Sequence, residues 1–127
     1  MKFRHLAAMS AIVFWALAVA WMFVPAQMLA NWGVGFSSEA GLVSRRAAAL
    51  YLGLGVMLFL ARNAAPSVAR SALVAGFVTA CLTLAALGVF ELLSGHANPG
   101  ILAAVAIEVL FSMGFLFVQR RERHLAQ

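Results

Sequence analysis

The sequence predicts an all-α fold, an integral membrane four-helix bundle, and three observations carry that prediction. Of the 127 residues, 65% are hydrophobic and 10% are charged, with a mean hydropathy of +0.98. Soluble domains run nearer half apolar and a quarter charged. The apolar residues gather into four runs, about 6–24, 47–61, 71–93 and 101–118, with charged and turn-forming residues between them. None of these runs alternates with the two-residue period of a strand. Spans of this length in lipid must be helical, because hydrocarbon offers the backbone no hydrogen-bond partners. A chain this short makes one membrane domain, 1–127.

The first run, 6–24, carries no charge and covers roughly 28 Å as a helix, close to the thickness of a bilayer's hydrocarbon. Lys2 and Arg4 precede it, as they would in a secretory signal, but a signal's apolar core is usually shorter. A retained helix is the expectation. The connection that follows, 25–38, contains "PAQMLANWGVGF". Pro25 can open a short helix that ends near Gly33, with Trp32 and Phe36 at headgroup level. An interfacial anchor is its expected role, and a lid over the outer end of the bundle is the alternative.

The second run looks short until "SSEAGLVSRR" is joined to it. Ser37 or Ser38 supplies an N-cap and Glu39 sits at the positive end of the helix dipole. The second span then becomes 39–61, roughly 34 Å, with Arg45 and Arg46 inside the helix. Pro66 opens the third span, 66–93, and places Arg70 in its first turns. Asn98-Pro99 pairs an N-cap with a proline at the first helical position, so the fourth span runs 99–118.

Four spans put both termini and the 62–70 connection on one face. That face holds Lys2, Arg4, Arg62, Arg70, Arg120, Arg121 and Arg123, against Arg45 and Arg46 on the other. The positive-inside rule places both termini in the cytoplasm, with the chain multi-pass in a bacterial inner membrane. The tail "QRRERHLAQ" reads as a basic juxtamembrane end against anionic lipid. The net charge of +5 is thereby accounted for without nucleic acid, for which no basic face on a soluble scaffold and no reader motif is present.

One acid interrupts "ILAAVAIEVLFSMGFLF", residues 101–117: Glu108. Residues four apart share a helix face, so Glu108 lies in a stripe with Gly100, Ala104 and Ser112. Small residues mark where membrane helices approach one another, and this stripe is expected to face the bundle interior. Glu108 then lies about 12 Å below the outer start of its helix. A carboxylate at that depth is neutral or partnered. Arg46, in a stripe with Ala49, Leu50 and Gly53, is expected to face the interior and reach it. Arg45, Tyr51, Glu91 and His96 complete a candidate polar cluster in the outer half.

Two readings of this cluster compete. Arg46 pairs with Glu108 or Glu91 and fixes helix register. Alternatively, the cluster is a protonatable or ligand-binding site open to the outer face. Elsewhere Ala72, Gly76 and Ala80, with Gly88 later, are spaced for close packing within the bundle or against a partner.

Catalytic signals are missing. His5, His96 and His124 are not spaced to ligate a metal from one helix, the spans offer haem no axial histidine, and the lone Cys81 excludes an internal disulfide. Phosphate-binding loops, dinucleotide fingerprints and nucleophile elbows are absent from the sequence. No cofactor and no metal site is expected, and the chain is not expected to be an enzyme.

The stretch "RRAAALYLGLGVMLFLAR", a short proline-containing turn, a Gly/Ala-rich third span and a fourth span with an acid resemble small bacterial four-span proteins of the DoxX-like group. The resemblance covers about 45–118. It implies a four-helix membrane protein with roles ranging from respiratory accessory subunits to redox-stress complexes, and transfers no catalytic residue. The leading expectation is a non-enzymatic accessory, scaffolding or assembly subunit, partnered by the lipid bilayer and by another membrane subunit or a second copy of itself. One alternative is a small transporter or channel with an outward-facing site at Glu108 and Arg46. Another is a binder of a lipid or quinone within the bundle.

Overall fold

Side-chain caps set where the second, third and fourth spans begin. The computed structural model describes residues 2–126, ordered as α1 (Phe3–Phe23), α2 (Pro25–Asn31), α3 (Ser38–Ala61), α4 (Val68–Leu93), a 3-10 turn (Pro99–Ile101) and α5 (Leu102–Ala126). The Ser37 side chain accepts from the Ala40 amide at 3.1 Å and starts α3. Ser67 does the same for α4, accepting from the Arg70 amide at 3.1 Å. The third span therefore begins at Val68 and not at Pro66. The residue before Pro66 is an alanine with no acceptor to offer, whereas Ser67 has one. Asn98 caps the fourth span as expected, accepting from the Gly100 amide at 2.9 Å, but the first turn is 3-10. At its far end α5 continues past 118 through "QRRERHLA", whose residues are mostly good helix formers able to run out into water.

Four of these helices, one of them α5 with its leading 3-10 turn, are long and apolar enough to cross a membrane, and the described residues contain no strand. Large side chains such as Ile12, Leu60, Leu110 and Phe117 lie on the outside. A water-soluble chain rarely displays such a continuous apolar surface, so the bundle is a multi-pass membrane protein. Both termini and the 62–67 connection share one end, where Arg70 meets Phe3 and Glu122. The opposite end carries α2 and the 94–98 turn, tied together by the Asn98 amide donating to the Trp32 carbonyl at 2.7 Å. We call these the inner and outer ends.

The helices associate as two tight pairs, α1 with α3 and α4 with α5, and α1 also meets α5. Lipid removes the hydrophobic drive between membrane helices, leaving close packing to hold them together. Small residues provide it. Ser44, Ala48 and Gly55 are buried on α3, and Ala7, Ala11 and Ala18 on α1. A Cβ on Gly55 would stand 2.5 Å from the Trp15 ring, and one on Gly88 would stand 2.7 Å from Val105 of α5. Between the pairs lies a layer of rings. Phe14 packs on Tyr51, Phe77 and Phe111 with centroids 5.5, 5.2 and 6.4 Å away, and Phe115 packs on Phe77 at 5.2 Å. All but the tilted Phe14–Phe111 pair are edge-on, an arrangement that adds about 1 kcal/mol each beyond the area covered.

The α3 stripe expected to face the interior turns outward. Arg46, Ala49, Leu50 and Gly53 lie on the outside of α3, with Leu50 71% exposed and open space around Gly53. Gly53 and Gly55 are two residues apart, roughly 200° around a helix, so only one can meet α1. Trp15 takes Gly55. On α4 the buried ridge is Val74, Phe77, Val78, Cys81, Ala85 and Gly88, which leaves Ala72 and Gly76 outside.

Candidate functional site

The outer half of the bundle is built differently from the inner half. Gly33, with φ 73°, ends α2 in the left-handed conformation. Its amide donates to Ala30, and the Val34 amide donates to Leu29, both at 2.9 Å. The turn is thereby closed and docked on Asn98. Gly100 lies directly beneath α2, where a Cβ would collide with the Asn31 carbonyl oxygen. Pro25 and Leu29 are buried. Thus α2 is a roof folded onto the outer end of the bundle. Trp32 is correspondingly drawn inward, its ring 5.0 Å from that of Trp21, while Phe36 remains exposed.

Beneath this roof lies a cavity of about 400 Å³, within the size range of small-molecule sites. Its floor is Phe14 and Phe111, its walls include Leu17, Trp21, Tyr51, Leu84 and Ile107, and Met28, Asn31 and Trp32 close it above. The space exists because α5 presents Gly100, Ala103 and Ala104 there in place of bulky side chains. A smaller cavity of about 190 Å³ shares Trp32, Tyr51, Leu84, Ala104 and Glu108 with the first and extends to Gly88 and Glu91.

Glu108 stands in the wall common to both cavities. Its Oε2 is fully enclosed and has no hydrogen-bond partner among the described residues. The nearby Ser112 hydroxyl donates to the Glu108 backbone carbonyl at 2.8 Å, so its proton is engaged elsewhere. An enclosed carboxylate oxygen without a donor is costly in any low-dielectric medium. Tyr51 lines both cavities beside it, packed edge-on to Phe14.

The rest of the expected cluster separates. Arg45 and Arg46 are exposed. Arg45 lies back along the first turn of its own helix, its Nη1 3.4 Å from where a Gly41 Cβ would stand. Among the described residues Glu122 pairs with Arg70 and Glu91 meets His96, so Arg46 pairs with neither Glu108 nor Glu91. The cause is the rotation of α3 that seats Gly55 on Trp15 and turns Arg46 outward. Glu91 lines the smaller cavity but directs its carboxylate to His96 Nδ1, 2.7 Å away, with the His96 side chain 67% exposed.

Sequence reasoning missed a second charged site at the inner end. The Arg70 side chain is only 8% exposed. Its Nη2 lies 2.6 Å from Glu122 Oε2, its Nη1 donates to the Ala64 carbonyl at 3.1 Å, and its guanidinium sits 3.6 Å over the Phe3 ring. One signal was available: Glu122 is the single acid in "QRRERHLAQ". The aromatic lining of the outer cavity had none, since Phe14, Trp21 and Phe111 read simply as span residues.

Compared with known protein families, with curated proteins and with solved structures, the chain matches none.

Proposed function

We propose that this chain is a non-enzymatic membrane protein that holds a small, largely apolar molecule in the outer half of its bundle, with Glu108 and Tyr51 as the polar contacts. One observation carries the reading: a carboxylate oxygen enclosed without a partner in the wall of a roofed cavity of about 400 Å³. Evenly apolar walls fix no orientation, whereas a single acceptor does. The cavity is too small for a whole phospholipid, so the occupant is a compact molecule or one portion of a larger one. The membrane is a bacterial inner membrane and both termini are cytoplasmic, supported by the seven Lys and Arg residues at the inner end against Arg45 and Arg46 near the outer.

A second reading, the accessory subunit, has its own support. Ala72 and Gly76 lie on the outside of α4 with open space around Gly76, a place where another helix can approach closely. The resemblance to the DoxX-like group is compatible with both readings. Native mass spectrometry of the protein released gently from its own membranes separates them. Under the first reading a small molecule travels with the wild type and is lost from Ala104→Phe, which fills the cavity. A polypeptide retained by both forms, with no small molecule in either, overturns the first reading in favour of the second.

A further inference from the structure

The charge distribution around the outer cavity narrows the class of molecule it takes, an inference that rests on the binding reading above. Not one residue in the walls of either cavity is Lys or Arg. The two cations toward the outer end, Arg45 and Arg46, are exposed on α3. Glu108 therefore has no counter-charge from the protein, and Glu91 adds a second acid where the smaller cavity ends.

The rings of Phe14, Trp21, Trp32, Tyr51 and Phe111 line the same cavity as Glu108. Aromatic faces carry negative quadrupole density, so they repel anions and attract cations, most strongly where water is absent. Carboxylate and rings thus act with the same sign. An anion is opposed by both. A neutral apolar molecule gains burial but leaves the Glu108 carboxyl without a counter-charge. A cation with apolar substituents satisfies the carboxylate, faces the rings and fills the space in a single pose.

We propose that the cavity binds a lipophilic organic cation, a substituted ammonium or phosphonium whose charge sits against Glu108. Amphipathic cations partition into bilayers and concentrate near the headgroups, the depth at which the roof helix lies. The cavity volume of about 400 Å³ accommodates a cation with a few short alkyl arms or one aryl group.

The test compares two probes of one shape on the full-length protein in detergent. One is 4-phenylbutyl-trimethylammonium. The other is its neutral carbon isostere, with a tert-butyl group in place of the trimethylammonium. Trp21 and Trp32 line the cavity, so intrinsic fluorescence reports occupancy of either. The expected result is that wild type binds the cation at least about tenfold more tightly than the isostere. Glu108→Gln should lower cation affinity by about tenfold or more and leave the isostere unchanged. Equal affinity for both probes in wild type overturns the cation assignment while the binding reading stands, and that comparison needs no variant to fold. Binding of neither probe in wild type, or binding undiminished by Ala104→Phe, removes the site and both readings with it.

Discussion

Two glutamates on α5, about four turns apart and so on nearly one face, meet opposite surroundings. Glu122, at the inner end, accepts from Arg70 at 2.6 Å, and Arg70 is also held by the Ala64 carbonyl and the Phe3 ring. Glu108, in the outer half, has an enclosed oxygen and no partner. The packing around them differs in the same sense. Near the first, Phe3, Phe77, Phe115 and Val118 fill the space between helix pairs; near the second, the pairs part around a cavity. A membrane bundle that needs a charge only for assembly places it at an aqueous end and pairs it. An ionisable group left in the spans beside empty space is what the binding reading proposed above rests on.

The largest contrast between the halves should be tolerance of volume. Ala11 is fully buried against α3 and the aromatic layer, so Ala11→Phe should cost about 3 kcal/mol through overpacking. Ala104→Phe projects the same ring into open cavity and should change stability by less than about 1 kcal/mol. Thermal unfolding of both variants in one detergent checks the pair. Equal losses would mean that the outer space is not available to a ring.

Next in size is the paired acid. Glu122→Ala leaves the buried Arg70 guanidinium with a carbonyl and a ring but no counter-ion. Breaking a fully buried pair costs about 3–5 kcal/mol, and with Glu122 itself partly exposed the expected loss is about 2 kcal/mol. Double-mutant cycles with Arg70→Met isolate the coupling, and a coupling near zero would reduce the pair to a surface contact.

A smaller effect distinguishes the two glycines of α3. Gly55→Ala forces a methyl into the Trp15 ring and should cost about 1–2 kcal/mol. Gly53→Ala meets nothing within 4 Å and should gain about 0.5 kcal/mol from the lower chain entropy of alanine in a helix. Opposite signs in matched unfolding curves are the expected outcome. A loss at Gly53 instead would show that this face of α3 is covered in the assembled protein.

These glycines also mark how far the sequence could be read. Hydrophobic runs, caps at Ser37 and Asn98 and the short helix ending at Gly33 are local signals, carried by neighbouring residues, and they locate the elements. The small-residue stripe of Gly100, Ala104, Glu108 and Ser112 also indicates the right face of α5, because that helix has a single such face. On α3 two small-residue faces compete. The choice between Gly53 and Gly55 depends on where Trp15 of another helix stands, which spacing along α3 does not encode. Arg46 went astray with that choice, and with it the ion pair to Glu108. The cavity was illegible for a related reason: it is the gap left where two helix pairs diverge, a property of their arrangement and of no single segment.

The smallest expected effect is the most informative about Glu108. If the residue served to hold the bundle together, its carboxylate would have a partner, and Glu108→Gln would cost about as much as losing one charged hydrogen bond, about 2 kcal/mol. With no partner in the fold, the same nearly isosteric change removes an ionisable group from an enclosed position and breaks nothing. Stability should then shift by less than about 0.5 kcal/mol, or rise slightly as the cost of enclosing a charge is relieved. Unfolding of wild type and Glu108→Gln, each stripped of lipid-soluble molecules by extended detergent exchange, gives that intrinsic difference. Repeating the pair with the phenylbutyl cation present gives the other half. Wild type should gain stability with ligand concentration, as any binder of the folded state requires, and the variant should gain markedly less. A large intrinsic loss with no ligand-dependent gain would return Glu108 to a structural role.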